Sequence, residues 1–158
     1  MKDELKKWFE HIQKPNSIGN FPICPFAAKS VTAKRFSIQE IKDLADLSKM
    51  VEEVDIVATD VAIFYFVDYI QFDIEYLHSV AYNLNKQYNQ FDKVILDNDP
   101  RDPFIVNGVK TTFDGCYLIL VQGLKELNRH AAILKSTNYY SYWTKDQLDE
   151  VVNWRKSE

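Results

Sequence analysis

The chain has 158 residues, 46% hydrophobic and 14% aromatic, far richer in core-forming side chains than a segment that stays disordered. Nineteen basic residues against 23 acidic ones leave a net charge of −4, and no basic run alternates with aromatics, which argues against a nucleic-acid groove. The longest apolar run, Val61 to Val67, is too short to cross a bilayer, and the charged, amphipathic start carries no apolar signal core, so a single cytoplasmic domain over 1–158 without a membrane partner is expected.

In chain order, Leu5, Trp8, Phe9 and Ile12 follow helical spacing, and Pro15 ends that helix. A loop through Gly19, Pro22 and Ile23 leads to Cys24. Pro25 suits the first position of a short helix reaching Val31, which makes Cys24 its expected N-cap. Arg35 to Ile38 reads as a short strand. Ile41, Leu44, Ala45, Ser48, Val51 and Val54 mark one helix face, and the second half of Ile56 to Val67 reads as a central strand covered on both sides. Leu77, Val80, Ala81, Leu84 and Tyr88 stripe the next helix, and Val94-Ile95-Leu96 is another interior strand.

Asn107-Gly108, flanked by Phe104-Ile105-Val106 and Val109-Lys110-Thr111, is a type I′ hairpin signal. Tyr117 to Val121 suits a strand by its apolar run. Yet Cys116, Leu120, Leu124, Leu127, Ala131 and Leu134 keep helical spacing, so one long helix capped by Asp114 is favoured, at about 1 kcal/mol for Gly123. Thr144 to Gln147 fits a capping box opening a C-terminal helix. The fold class expected is α/β (α+β): a small mixed sheet of about three to five strands packed with helices, helical at both termini and at least partly parallel.

Cys24 is the first candidate for chemistry. Free amides and the positive end of a helix dipole favour a thiolate there, and Lys29 or a nearby arginine would add to it. Otherwise Cys24 is a small hydrophobe wedged between two prolines. Asp97, Asp99, Arg101 and Asp102 follow a strand end, where α/β sheets hold ligands. They suit a divalent cation or a polar substrate, and equally an ordinary Asx-rich turn. The spacing is not that of an EF-hand.

His130, at the edge of a helical stripe, reads as a packing residue with a wet tip; His11 and His78 carry no stronger signal, and no histidine pair has zinc-ligand spacing. Cys116 forms a dithiol with Cys24 only if the two loops converge; both otherwise read as free thiols. Tyr139, Tyr140, Tyr142 and Trp143 form an aromatic loop that either meets a protein partner or anchors the last helix. No dinucleotide fingerprint, P-loop, Cys-x-x-Cys, zincin or nucleophile-elbow motif occurs.

Trp8, the Ile18-Gly19 pair and Cys24-Pro25-Phe26-Ala27 together resemble an uncharacterised bacterial family, the domain-of-unknown-function family numbered 1415. Phe66-Val67-Asp68-Tyr69-Ile70-Gln71-Phe72 is similar to its Phe-Leu-Asp-Tyr-x-x-Phe stretch. Where that family has a His-Pro stretch ending in Tyr-Arg-Phe, this chain reads Asp97 to Phe104 without a histidine, and the Arg-Ser-Pro-Tyr-Pro approach is missing before Cys116. The resemblance implies an α/β fold and brings no activity or cofactor. Two functional expectations stand: a small polar molecule bound or transformed at a pocket containing Cys24, with Asp97, Asp99, Arg101 and Asp102 orienting it; or a non-catalytic interaction module using the loop 139–143.

Overall fold

The computed structural model describes residues 1–156. Its elements are α1 (Lys2–His11), α2 (Ala27–Thr32), β1 (Phe36–Glu40), α3 (Leu47–Glu52), β2 (Val61–Phe66), α4 (Ile74–Tyr88), β3 (Lys93–Asn98), β4 (Ile105–Val106), β5 (Val109–Lys110), β6 (Tyr117–Gly123), α5 (Leu124–Lys135) and α6 (Lys145–Val151). Four strands form one mixed sheet in the order β1-β2-β6-β3, with β1 and β2 parallel and β6 antiparallel to both β2 and β3. The expected mixed α/β architecture is therefore present, with helices at both ends of the chain.

Period-two alternation divides the core between the two faces of this sheet. Ala62, Phe64 and Phe66 of β2, with Tyr117, Ile119 and Val121 of β6 and Ile95 of β3, meet Leu47, Val51, Leu77, Ala81 and Leu84 from α3 and α4. Val61, Ile63, Tyr65 and Leu118 face the other way, onto Leu5, Phe9, Ile12, Ile18, Ile23 and Ala27. All six residues of β2 are buried, as a doubly covered strand requires.

The same requirement overturns the expected long helix after Asp114. Tyr117, Leu118, Ile119 and Val121 are wholly buried because β6 lies between β2 and β3, and only an extended segment can present apolar side chains to both layers. Helical spacing within Cys116 to Leu124 was a coincidence of a continuous apolar run. The helix proper starts at Leu124, and its cap is remote in sequence: the Asp92 carbonyl and carboxylate accept from the amides of Leu124 and Lys125 at 2.9 and 2.8 Å. The helix expected from Ile41 to Val54 is also shorter, a 3-10 turn (Leu44–Asp46) leading into α3.

Other local expectations match. Asn107 and Gly108 have φ of 51° and 75°, as a hairpin of two left-handed residues needs. Thr144 and Gln147 complete a reciprocal capping box at α6.

With no strand on the far side of β3 among the described residues, side chains take over its backbone groups. Asn85 of α4 receives the Ile95 amide at 2.8 Å and donates to its carbonyl at 2.6 Å. At the end of β3 the roles reverse: the Asn98 side chain accepts from the Phe113 amide at 2.9 Å and donates to its carbonyl at 3.1 Å. Asn85→Ala leaves both Ile95 groups unpaired and is expected to cost about 2 kcal/mol. Urea unfolding would read this as a lower midpoint at an unchanged slope, whereas an unchanged midpoint would show that water serves the edge equally well.

Candidate functional site

A cleft of about 1170 Å³ opens beside β3, its walls drawn from α4, β3, α5, the aromatic turn (Tyr139–Tyr142), α6 and a final 3-10 turn (Asn153–Lys156). Cys24, Asp97, Asp99 and Asp102 all line it, as do Tyr139, Tyr140 and Trp143; Arg101 and Tyr142 do not. Seven candidate residues of the sequence thus border one cavity, with His78, Glu150 and Arg155 beside them.

The best-formed polar constellation is built on His78, near the start of α4, and Asp97, at the end of β3. Because α4 runs back along β3, the helix start meets the strand end. His78 Nδ1 lies 2.5 Å from Asp97 Oδ2, and Nε2 lies 3.6 Å from Asp102 Oδ2. With Asp97 ionised, Nδ1 carries a proton towards it, and Nε2 lies beside Asp102 in the wall of the cleft. The Tyr117 hydroxyl braces the pair, donating to the Leu77 carbonyl at 3.1 Å with Asp97 Oδ2 at 3.4 Å. Burial pushes the Asp97 carboxyl above its usual range, and His78 offsets part of that rise. Across the cleft mouth, loss of solvent and then the charges of Asp102 and Asp97 push the Glu150 carboxyl upward.

Asp99 and Arg101 are committed to each other. The fully buried Asp99 carboxylate takes Arg101 Nε at 2.9 Å, Nη2 at 2.7 Å and the Arg101 amide at 2.9 Å. Nη1 reaches the Phe72 carbonyl at 2.8 Å, and the guanidinium lies 5.2 Å from the Tyr69 ring centroid. This bidentate pair ties the loop after β3 to the approach to α4, and so holds Asp97 and Asp102 at the cleft.

Cys24 occupies a different setting from the one expected. The short helix begins at Ala27 with Phe26 at its N-cap, not at Pro25 behind Cys24. The thiol is half-buried in the apolar layer of the α1 side. That burial pushes its pKa up, and hydrogen bonds from the Phe26 and Ala27 amides recover only part of the rise. Cys116 precedes a strand rather than opening a helix; it is fully buried, its pKa pushed up to about 12 by burial. Both thiols are free.

The aromatic turn is used internally. Tyr139 is buried and donates to the Ile23 carbonyl at 2.8 Å, and its ring meets Phe21 edge-on at 5.3 Å. Tyr142 lies over Gly19, where a Cβ would stand 2.2 Å from the ring; the left-handed φ of 59° there also calls for glycine. Trp143 packs on Phe104 at 5.5 Å, and its indole N–H lies near the Tyr139 oxygen without forming a hydrogen bond of good geometry. His130 stacks on Phe26 at 4.0 Å and pairs with Glu126 at 2.9 Å, the packing role expected of it.

Among the described residues no group of three or more His, Cys, Asp or Glu side chains is arranged to hold a metal ion, and no helix is long and apolar enough to cross a membrane. No family model, curated protein or solved structure matches the chain.

Local sequence reasoning sets His78 aside, although its signal is available: in a strand–helix–strand unit, the start of the helix returns beside the end of the following strand, here 78 beside 97. Nothing local marks Glu150 or Arg155.

Although burial alone would raise it, the Asp99 carboxyl is held below its usual range by the hydrogen bonds and charge of Arg101. A depressed carboxylate stabilises the fold above its unfolded pKa of 3.8 and loses that contribution as pH falls through the lower folded value. Asp99→Asn is therefore expected to cost about 2 kcal/mol at neutral pH and clearly less at about pH 3. Urea midpoints across that range check it; a penalty independent of pH would contradict the ion-pair assignment.

Proposed function

We propose that this chain binds a small polar molecule in the cleft beside β3 and moves a proton on it through His78. The observation that carries the reading is the 2.5 Å contact between His78 Nδ1 and Asp97, with Nε2 beside Asp102 in the wall of the cavity. A buried carboxylate behind an imidazole fixes the ring's orientation and tautomer and stabilises the imidazolium formed when Nε2 takes a proton. The cleft supports binding as well. Its volume suits a metabolite-sized ligand, and its walls combine aromatic and aliphatic surface with a few convergent polar groups.

Asp102 and Glu150, at the mouth, complement a hydroxyl or amine on the ligand. Asp99 and Arg101 act as positioning residues, since their hydrogen-bonding groups serve each other. Cys24 contributes wall rather than nucleophile, because burial works against its thiolate. Two free thiols fit a cytoplasmic setting. The packing of Tyr139, Tyr142 and Trp143 against the chain's own loops favours an anchoring role over a partner patch.

An activated ester, p-nitrophenyl acetate, probes the reactive group without knowledge of the substrate. A water O–H proton passes to Nε2, the water oxygen bonds the acyl carbon, and p-nitrophenolate departs. His78→Gln is expected to lower the rate about a hundredfold, Asp97→Asn to lower it less, and Cys24→Ser to leave it within about twofold. The opposite order, with Cys24→Ser abolishing turnover and His78→Gln sparing it, would reject His78 as the reactive group.

A further inference from the structure

We infer that the ligand of this cleft carries an oxyanion, a carboxylate or a phosphate, and that Arg155 binds it. The inference rests on the reading of the cleft as a ligand site and names the ligand's chemistry. Arg155 is 8% exposed and lines the cavity, yet neither Nε nor Nη1 has a hydrogen-bond partner among the described residues. Its position is fixed through the backbone, since Asn128 of α5 donates to the Arg155 carbonyl at 3.2 Å.

The charges around it do not serve it. Of the two acidic residues that α6 contributes to the wall, Asp149 is taken by Lys145 at 2.6 Å and Asn153 at 2.6 Å, and Glu150 is exposed and makes no ion pair with Arg155. Tyr140, whose hydroxyl lies within electrostatic reach of the guanidinium, is neutral as a phenol. Buried guanidinium groups in folded proteins are paired, and Arg presents a planar fork that matches carboxylate and phosphate oxygens two at a time. Buried guanidinium nitrogens without a partner, on a residue of the cavity wall, are thus a recognition element for an anion, and the rings of Tyr140 and Trp143 in the same wall fit an apolar or aromatic body attached to it.

The test titrates the full chain with benzoate, phenyl phosphate, inorganic phosphate and, as neutral control, benzyl alcohol, reading calorimetric affinity and thermal midpoint. Arg155→Met keeps the aliphatic stem and removes the charge; Arg155→Lys keeps the charge and removes the fork. Wild type is expected to bind at least one aromatic anion about tenfold or more tightly than Arg155→Met, with Arg155→Lys between them and benzyl alcohol indifferent to all three. The better of benzoate and phenyl phosphate identifies the oxyanion. Without ligand, Arg155→Met should melt no lower than wild type, since it removes an unpaired buried charge.

Equal anion affinity in wild type and Arg155→Met overturns the inference, as does a marked loss of stability in Arg155→Met when wild type binds no anion. It is equally overturned if Glu158→Gln strengthens phosphate binding, because the chain's own carboxylate would then be the arginine's partner. If these fail while His78-dependent ester turnover persists, the cleft reading stands without the arginine; if turnover fails too, both fall.

Discussion

The outer edge of β3 is the constraint around which this molecule is arranged. β6 satisfies one side of the strand; on the other, each peptide that points outwards needs a partner from elsewhere. At Ile95 the partner is the Asn85 amide, which imitates a neighbouring strand at both N–H and C=O. Two residues on, Asp97 faces the same way and its own carboxylate takes its amide. That bond and the one to His78 hold a single carboxyl group, so the device that finishes a sheet edge also orients an imidazole. Structural and chemical roles coincide at Asp97 because covering the edge with a fifth strand would have filled the cleft.

Everything around that edge is comparatively rigid. β6, the strand inside it, is enclosed by hydrocarbon on both faces, and β2 beyond it likewise. Lys93, at the start of β3, sends its ammonium to the Val51 and Glu52 carbonyls at 2.8 and 2.6 Å, closing the C-terminus of α3. Asp92 beside it caps α5. Two consecutive residues thus anchor α3 and α5 to one end of β3, and the Asp99–Arg101 pair anchors the other end to the approach to α4. A cleft bounded by elements fixed at both ends of one strand is largely preformed, which reduces the ordering cost of binding.

The legibility of the sequence followed the range of the interactions involved. The hairpin at Asn107-Gly108, the capping box at Thr144, the buried run of β2 and the stripe of α4 are dictated within a few residues, and each stands where it was expected. Tyr117 to Val121 was misjudged because an apolar run satisfies both periods, and only the tertiary fact of lying between two strands decides it. The expected helix start behind Cys24 is displaced for a related reason. A proline after a cysteine suggests a helix start, but the actual helix begins two residues later, and the surrounding layer of Ile12, Ile23 and Phe36 decides the sulfur's electrostatics. Asp97 and Asp102 are candidates by their place after a strand, while nothing local raises His78, on a helix marked by its apolar stripe, above the other two histidines.

Cys24 and Arg155 show how one physical effect leads to opposite conclusions at two points of the same cavity. Loss of solvent penalises the charged form of both groups. A thiol answers by keeping its proton and becomes an ordinary hydrophobe, which needs nothing from outside. A guanidinium cannot give up its proton under physiological conditions, so its charge persists wherever it is buried. Two of its nitrogens have no partner among the described residues, and the cleft whose wall Arg155 helps to form can admit a counter-charge. Burial thus argues against chemistry at the sulfur for the same reason that it argues for recognition at the arginine.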